Sequence, residues 1–262
     1  MIFNTEATVV RSLAYGENHV IVTLLTPSGK MGVMAKGAKK PQSRFATAVQ
    51  LGVQGVYSIR RGHGMGTLLQ AEVTDSRRKL REQLELAAYA AYFAELAERV
   101  AEQTPVGSEA FYRLVEGAFD RLAAHPDEAS LTSLVWEAKL LRWLGASPSW
   151  LTCVRCGHDV VHPGRTSGHD DVPPGRIAYD GAEGGLLCPI CSAQEDPQRL
   201  FWLSPALARV LEQFSTVPWP RIGRIQLSAD SQQRLRAVLR HQLTEYAGLS
   251  MKSARFLDSL NL

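Results

Sequence analysis

Apolar and polar residues alternate with a period of two along the first 75 residues, which is the pattern of strands with one buried face. Ala7, Val9 and Leu13 are predicted to share the buried face of the first strand, and Tyr57 lies on that of the fourth. The alternating segments are residues 5–13, 20–25, 29–36, 51–59 and 67–73. Five short strands in this length indicate a small closed barrel of the OB-fold type, a common binder of single-stranded nucleic acid.

Beyond residue 76 the apolar positions recur at three- and four-residue spacing, which predicts amphipathic helices. Ser108 and Ser204 stand where N-caps are expected, and Gly145 stands where a helix would stop. The predicted helices cover residues 79–102, 108–122, 129–144, 204–214, 228–246 and 253–260. We therefore predict an α+β chain of three parts. They are an OB-fold domain (residues 1–78), an α-helical domain (79–149 and 200–262) and an inserted module (150–199).

The inserted module carries all four cysteines of the chain, as two Cys-x-x-Cys pairs. Each pair presents two thiolates to one tetrahedral ion, and a second pair about thirty residues away completes the site. The segment between them has little to bury, so a bound metal would supply its stability. Two disulfides or a redox dithiol fit less well with a cytosolic chain that lacks a βαβ setting here. We predict one structural zinc ion bound by Cys153, Cys156, Cys188 and Cys191, with His158, His162 and His169 as less well placed substitutes.

Positive charge is concentrated at the front of the chain. Residues 1–80 contain 11 Lys and Arg against 4 Asp and Glu, a formal charge of +7, whereas the remainder has 18 against 22, a charge of −4. No acidic residue lies between positions 29 and 44, where the third strand passes into a basic loop. Unpaired cations at this density suit a chain of phosphates, although a solubilising loop has the same composition. The predicted phosphate contacts are Lys36, Lys39, Lys40, Arg44, Arg60 and Arg61, and Phe45 is the candidate for stacking on a base. Arg77, Arg78, Lys79 and Arg81 either flank this track or form a solvated helix start.

No arrangement of residues points to catalysis. The glycines at 62, 64 and 66 resemble part of a dinucleotide-binding motif, but they lie between two strands, without the helix that would hold a phosphate. Asp170 and Asp171 are paired carboxylates of a kind that could bind magnesium in a nuclease, but they lie in a polar loop where solvated acids are the default. No apolar run is long enough to span a bilayer, and polar residues interrupt the first ten positions, so we expect no membrane segment and no secretory signal. The sequence thus favours a cytoplasmic binding protein over an enzyme.

Several tracts taken together resemble the RecO family of bacterial DNA repair proteins. They are Thr-Glu-Ala-x-Val-Val-Arg at residues 5–11, Tyr-Gly-Glu at 15–17, Val-Thr-Leu-Leu-Thr at 22–26, Gly-Lys at 29–30, Ala-Lys-Gly-Ala-Lys-Lys-Pro-x-Ser-Arg-Phe at 35–45 and Leu-x-Gln-Ala-Glu at 68–72. Residues 137–145, the four cysteines and Lys-Ser-x-Arg-Phe-Leu at 252–257 continue the likeness, which is dense over the first 75 residues and intermittent afterwards. His19 stands where the family commonly has an acidic residue, and the segment between the cysteine pairs is long.

The resemblance implies an N-terminal OB-fold, a helical body and, in members with the cysteines, a zinc module. It also implies a recombination mediator, associated with the nucleoid, that binds single- and double-stranded DNA and anneals complementary strands. Such a mediator works with RecR and single-strand-binding protein to load the RecA recombinase. The C-terminal tail of single-strand-binding protein is expected in a groove of the helical domain, with Arg236, Leu239, Arg240 and Leu243 as candidate contacts. A magnesium-dependent nuclease and a zinc-ribbon scaffold that binds only protein are the competing interpretations.

Overall fold

The computed structural model describes residues 1–103, 108–161 and 176–260. The chain divides into two compact units, Met1–Ala129 with Met251–Leu262, and Ser130–Ser250. This division differs from the domain boundaries at residues 78, 149 and 199 that the sequence suggests, and those boundaries stay a prediction. Among the helices of the described residues, none is both long and apolar enough to cross a bilayer.

The first unit contains a closed five-stranded barrel. Its strands are β1 (Ile2–Tyr15), β2 (His19–Thr26), β3 (Gly29–Ala35), β4 (Gln54–Arg60) and β5 (Gly66–Asp75). They follow one another around the barrel in the order β1-β2-β3-β5-β4, and β4 closes onto β1. The β3–β5 pair is parallel and the other pairs are antiparallel. This arrangement confirms the predicted OB-fold class.

Inward-facing apolar side chains fill the barrel, as the alternation predicts for Ala7, Val9 and Tyr57. The prediction for Leu13 is wrong, because this side chain is 46% exposed. The register between β1 and β2 shifts between Val9 and Arg11, and the extra residue of this β-bulge turns the following side chains to the opposite face.

The predicted helices are all present, and a short one is added at the second cysteine pair. They are α1 (Leu84–Gln103), α2 (Glu109–Ala124), α3 (Ala129–Trp143), α4 (Pro189–Ser192), α5 (Pro205–Thr216), α6 (Ala229–Glu245) and α7 (Lys252–Ser259). Ser108 and Ser204 act as N-caps, since their hydroxyl oxygens accept hydrogen bonds from the N–H groups of Phe111 and Leu207, each at 3.3 Å. A 3₁₀ turn at Arg78–Arg81 precedes α1, so the predicted helix over residues 79–102 begins later than expected.

A buried ion network joins the barrel to α2. The Nη2 atom of Arg77 lies 2.9 Å from Glu116 Oε2 and 2.7 Å from Asp120 Oδ1, and its Nη1 donates to the Gly52 carbonyl oxygen at 3.1 Å. The Thr8 hydroxyl on β1 donates to Glu116. Burial works against the charge of Arg77, but the two carboxylates outweigh it and raise its pKa. Arg77 therefore stabilises the fold and is not available to flank a DNA track.

Two neighbouring cations also form hydrogen bonds or ion pairs with other groups of the protein. Arg81 donates to the carbonyl oxygens of Leu51 and Ser76 at 2.9 and 2.7 Å, and Arg78 lies 2.7 Å from Glu82. Of the four cations considered for the flank, these two and Arg77 are thus held by protein groups.

The second unit contains a small antiparallel sheet beside the cysteines. Its strands are β6 (Ile177–Asp180), β7 (Gly185–Leu187) and β8 (Leu200–Leu203), in the order β7-β6-β8. In the same unit α3 buries Lys139, whose Nζ donates to the Val217 carbonyl oxygen and lies 5.3 Å from the ring centroid of Trp219. Burial lowers the pKa of Lys139 to about 8.

Candidate nucleic-acid interface and metal centre

The six cations predicted to contact phosphates are exposed on the barrel. Within the described part of the chain none of them forms an ion pair with a carboxylate. They are Lys36, Lys39, Lys40, Arg44, Arg60 and Arg61. These cations are therefore available to neutralise the phosphates of a polyanion.

Backbone contacts fix the basic loop that follows β3. Ala38 is buried in the barrel core, between exposed lysines on either side. The Gly37 N–H donates to His19 Nδ1 at 3.0 Å, and the Lys39 N–H donates to the Asn18 carbonyl oxygen at 3.1 Å. Gly37 has φ of +72°, in the left-handed region that glycine adopts at little cost. The lysines thus project from a defined turn.

The strand register brings the basic loop and the β4–β5 hairpin to one end of the barrel. Met34 on β3 pairs with Thr67 on β5, and Thr67 pairs with Arg60 on β4. Lys36 comes two residues after Met34, and Arg61 comes directly after Arg60. Two cationic segments that are separate in the sequence therefore leave the barrel from the same edge.

Phe45 does not have the exposure that base stacking requires. It is 6% exposed and belongs to the cluster of apolar residues that fills the barrel. Arg44 covers its ring at 4.8 Å from the centroid while donating to the Leu69 carbonyl oxygen at 2.8 Å. A base cannot stack on a ring that is buried and covered in this way, so the prediction for Phe45 is wrong. Phe45 instead anchors the loop segment that carries Arg44.

Tyr15 is one exposed aromatic residue that the sequence alone did not indicate. It lies at the end of β1 and is 55% exposed. Tyr15 pairs with His19 across β1 and β2, and directly paired side chains lie on the same face of a sheet. His19 accepts the hydrogen bond from Gly37, so Tyr15 pairs with a residue that contacts the basic loop. The Tyr-Gly-Glu turn was visible in the sequence, but exposure depends on the fold.

The four cysteines come together in the second unit. Their Sγ atoms all lie within 4.8 Å of one another, and the pair Cys156–Cys188 is separated by 3.7 Å. Four thiolates at about 2.3 Å from a tetrahedral ion stand roughly 3.8 Å apart, so this cluster has the dimensions of a metal site. All four cysteines are free, and the disulfide alternative is not what this structure shows.

A tight turn and the start of a short helix fix the positions of the two cysteine pairs. Cys153 precedes a tight turn in which the Gly157 N–H donates to the Cys153 carbonyl oxygen at 2.9 Å, with φ of +72° at Gly157. Cys188 is the N-cap of α4, and the Cys191 N–H donates to its Sγ at 3.5 Å. Arg155 connects the two knuckles, since its Nε donates to Glu183 at 2.6 Å and its Nη2 to Glu195 at 2.5 Å.

This environment shifts the pKa values of the thiols in different directions. Burial opposes ionisation of Cys153, but backbone N–H groups at Cys156, Cys188 and Arg155 donate hydrogen bonds to it and lower its pKa to about 7. Burial and the adjacent sulfurs raise the pKa of Cys191. Four ionised thiols at this spacing repel one another, so a bound cation is what would permit the full set to ionise. The chain can therefore hold a metal ion here.

The residues predicted to receive a partner peptide lie on α6, and two of them are inaccessible. Leu239 and Leu243 are fully buried, because they belong to the stripe that packs α6 into its unit. Arg236 donates from Nη2 to Ser130 Oγ at 2.8 Å, and Arg240 is half-buried. The predicted apolar slot is therefore not on the surface, and the prediction for the two leucines is wrong.

Four residues named from the sequence lie outside the described residues. They are His162 and His169, considered as substitute metal ligands, and Asp170 and Asp171, considered for a nuclease.

Comparison with known proteins covers the whole chain. Residues 1–77 match the family model described as "Recombination protein O N terminal", and residues 81–255 match "Recombination protein O C terminal". Proteins named "DNA repair protein RecO" from Bacillus pumilus and Bacillus subtilis are each 34% identical over 261 residues, covering 99% of this chain and 95% of the relative. The protein of the same name from Exiguobacterium sibiricum is 34% identical over 261 residues, covering 99% of this chain and 98% of its own. None of these names describes an enzyme.

Proposed function

Because the chain belongs to the RecO family of DNA repair proteins, we propose that it is a recombination mediator that anneals complementary single strands. In the cell it would act on chromosomal DNA at the nucleoid and help to load the RecA recombinase onto coated single strands. The family consists of DNA repair mediators and is not a class of enzymes. Annealing needs no bond-making chemistry, only relief of the repulsion between two phosphate chains.

The observation that carries this proposal is a set of six exposed cations without carboxylate partners in the described residues, gathered at one end of an OB-fold barrel. In this fold the face of the second and third strands, with the loops that follow the first and fourth, commonly binds oligonucleotides. Lys36, Lys39 and Lys40 lie at the end of β3, and Arg61 lies in the loop after β4. Contacts to phosphates leave base edges free to pair, which is what annealing requires.

Tyr15 replaces Phe45 in this proposal as the aromatic residue that stacks on a base. Its ring is exposed and belongs to the end of β1, next to the loop that joins β1 to β2. Stacking on an aromatic ring contributes about 1–3 kcal/mol per base and tolerates any sequence.

We propose zinc as the metal of the cysteine cluster, in a structural role. Four thiolates satisfy tetrahedral zinc completely and leave no open position for a substrate or an activated water. The ion would hold the Cys153–Cys156 and Cys188–Cys191 knuckles together beside the sheet of β6, β7 and β8.

We propose RecR and the C-terminal tail of single-strand-binding protein as protein partners, on the support of family membership. With Leu239 and Leu243 buried, Arg236 and Arg240 are the remaining candidates on α6, and their accessibility is limited by burial. Titration of the tail peptide against wild-type chain and an Arg240→Glu variant tests this assignment. Equal affinity for the two would place the tail elsewhere.

Strand annealing with complementary labelled oligonucleotides, with and without single-strand-binding protein and in the presence of magnesium, tests the function. We expect faster duplex formation than in buffer alone, and intact strands. Cleavage would favour a nuclease instead. Absence of any shift in a gel assay at low salt would favour a scaffold that binds only protein.

A further inference from the structure

The outer face of β1, β4 and β5 carries a groove, and the strand residues that line it are not among the six predicted phosphate contacts. Its volume is about 330 Å³, at the small end of the range for ligand pockets. Six residues that line it are Asn4, Arg44, Val56, Ser58, Gln70 and Glu72. All six belong to the first compact unit, and five of them lie on barrel strands.

The register arranges the polar side chains of this groove in a row across three strands. Asn4 on β1 pairs with Ser58 on β4, and Ser58 pairs with Gln70 on β5. Directly paired residues have Cβ atoms about 5 Å apart, so the row presents two amides and a hydroxyl within one span. In the adjacent row Val56, which is 40% exposed, pairs with Glu72.

The polar side chains on the strands of this groove do not contribute hydrogen bonds or ion pairs to the described fold. Within the described part of the chain the side chains of Asn4, Ser58, Gln70 and Glu72 make no hydrogen bond or ion pair, although Arg44 lines the same groove. By contrast Glu6, which pairs with Val56 from the β1 side, is bound by Arg113 through two contacts of 3.1 Å. The free groups in the groove thus include donors, acceptors and an apolar surface.

This combination matches the edge of a nucleobase better than it matches a phosphate. Amide side chains pair with adenine, and carboxylates accept from the amino group of cytosine. The carboxylate of Glu72 repels a phosphate, whereas Val56 offers an apolar contact to a base. Arg44 at the rim can take a phosphate of the same strand. Arg60, two residues after Ser58 on the same face of β4, can take another about 7 Å farther along.

We infer that this groove binds unpaired bases of single-stranded DNA by their edges and prefers bases that carry an exocyclic amino group. The inference rests on the proposed function, because it assumes that the barrel holds a single strand. Only the few bases that occupy the groove are held by their edges, and the bases of the strand outside the groove keep their edges free to pair.

Binding of 5′-labelled (dC)15 and (dT)15 to the full chain, followed by fluorescence anisotropy at pH 8, tests the inference. Both are pyrimidine strands with the same phosphates, and only cytosine has an exocyclic amino group. One additional net hydrogen bond, to a single cytosine in the groove, gives an expected preference of about fivefold for (dC)15. The Gln70→Ala/Glu72→Ala variant should bind both strands with the same affinity. Both side chains are exposed, and thermal denaturation will check that the variant is folded.

A Lys39→Ala/Lys40→Ala variant is the matched control. It should bind both strands more weakly than wild type and keep the ratio between them, because phosphates do not differ between the strands. A wild-type ratio near one, or a ratio that survives Gln70→Ala/Glu72→Ala, overturns the groove and leaves the proposed function intact. Failure of the wild-type chain to bind either strand overturns both.

Discussion

Removing two cations from the basic loop should weaken the salt dependence of DNA binding by a calculable amount. For single strands, log K falls with log salt concentration with a slope of about −0.7 per neutralised phosphate. The six exposed cations without ion pairs in the described residues therefore predict a slope of about −4, and Lys39→Ala/Lys40→Ala should bring it to about −3. Between 50 and 200 mM salt, the wild-type affinity should fall by about 300-fold and that of the variant by about 50-fold. Anisotropy titrations with a (dT) oligonucleotide at four salt concentrations measure both slopes.

The control for this measurement removes two cations that already have partners. Lys30 lies 2.6 Å from Glu102, and Arg78 lies 2.7 Å from Glu82, so Lys30→Ala/Arg78→Ala changes the net charge equally. We expect this variant to keep the wild-type slope, because cations that are already paired with carboxylates neutralise few phosphates. Equal slopes in the two double variants would refute the reasoning, since net charge and not the loop would then govern binding.

Four further predictions concern single sites. Cys188→Ser/Cys191→Ser should abolish tight metal binding in elemental analysis, and an unchanged metal content would reject these ligands. Arg77→Met should lower the free energy of unfolding in urea by about 3–5 kcal/mol, because it leaves a buried carboxylate unpaired. For Lys139 the folded pKa of about 8 lies below its ordinary 10.5, so the unfolded chain binds more protons between these pH values. Wild-type stability should therefore rise across that window relative to Lys139→Met, and parallel pH profiles would contradict this. Tyr15→Ala should weaken single-strand binding by about 1–3 kcal/mol with an unchanged salt slope, whereas Tyr15→Phe should retain affinity.

The strands, the helix caps and the grouping of the cysteines were predictable from sequence because each depends on neighbouring residues. Ser108 and Ser204 cap helices through N–H groups three residues away, and each Cys-x-x-Cys pair is a single turn. The closed barrel could also be predicted, because five strands in so short a length are compatible with few other architectures.

The errors concern contacts between distant parts of the chain. A β-bulge after Val9 exposes Leu13, and simple alternation cannot reveal an inserted residue. Phe45 and Tyr15 are both aromatic residues next to polar segments, and only the packing of the barrel decides that the first is buried. The carboxylate partners of Arg77 lie 39 and 43 residues away, so its pairing could not be deduced from its basic neighbours.

Ion pairs within the protein also decide which of the basic residues can bind DNA phosphates. A basic residue contributes to counterion release only if it can neutralise a phosphate, because the ions released are those condensed on the polynucleotide. Arg77 is already paired with Glu116 and Asp120, and moving it to a phosphate would leave the buried carboxylate of Glu116 without a partner. Lys39 and Lys40 keep their solvent shell, because the loop that carries them contains no acid and is fixed through its backbone. Rigid presentation lowers the entropic cost of aligning these charges with a strand, so phosphate binding costs less at this loop than at Arg77.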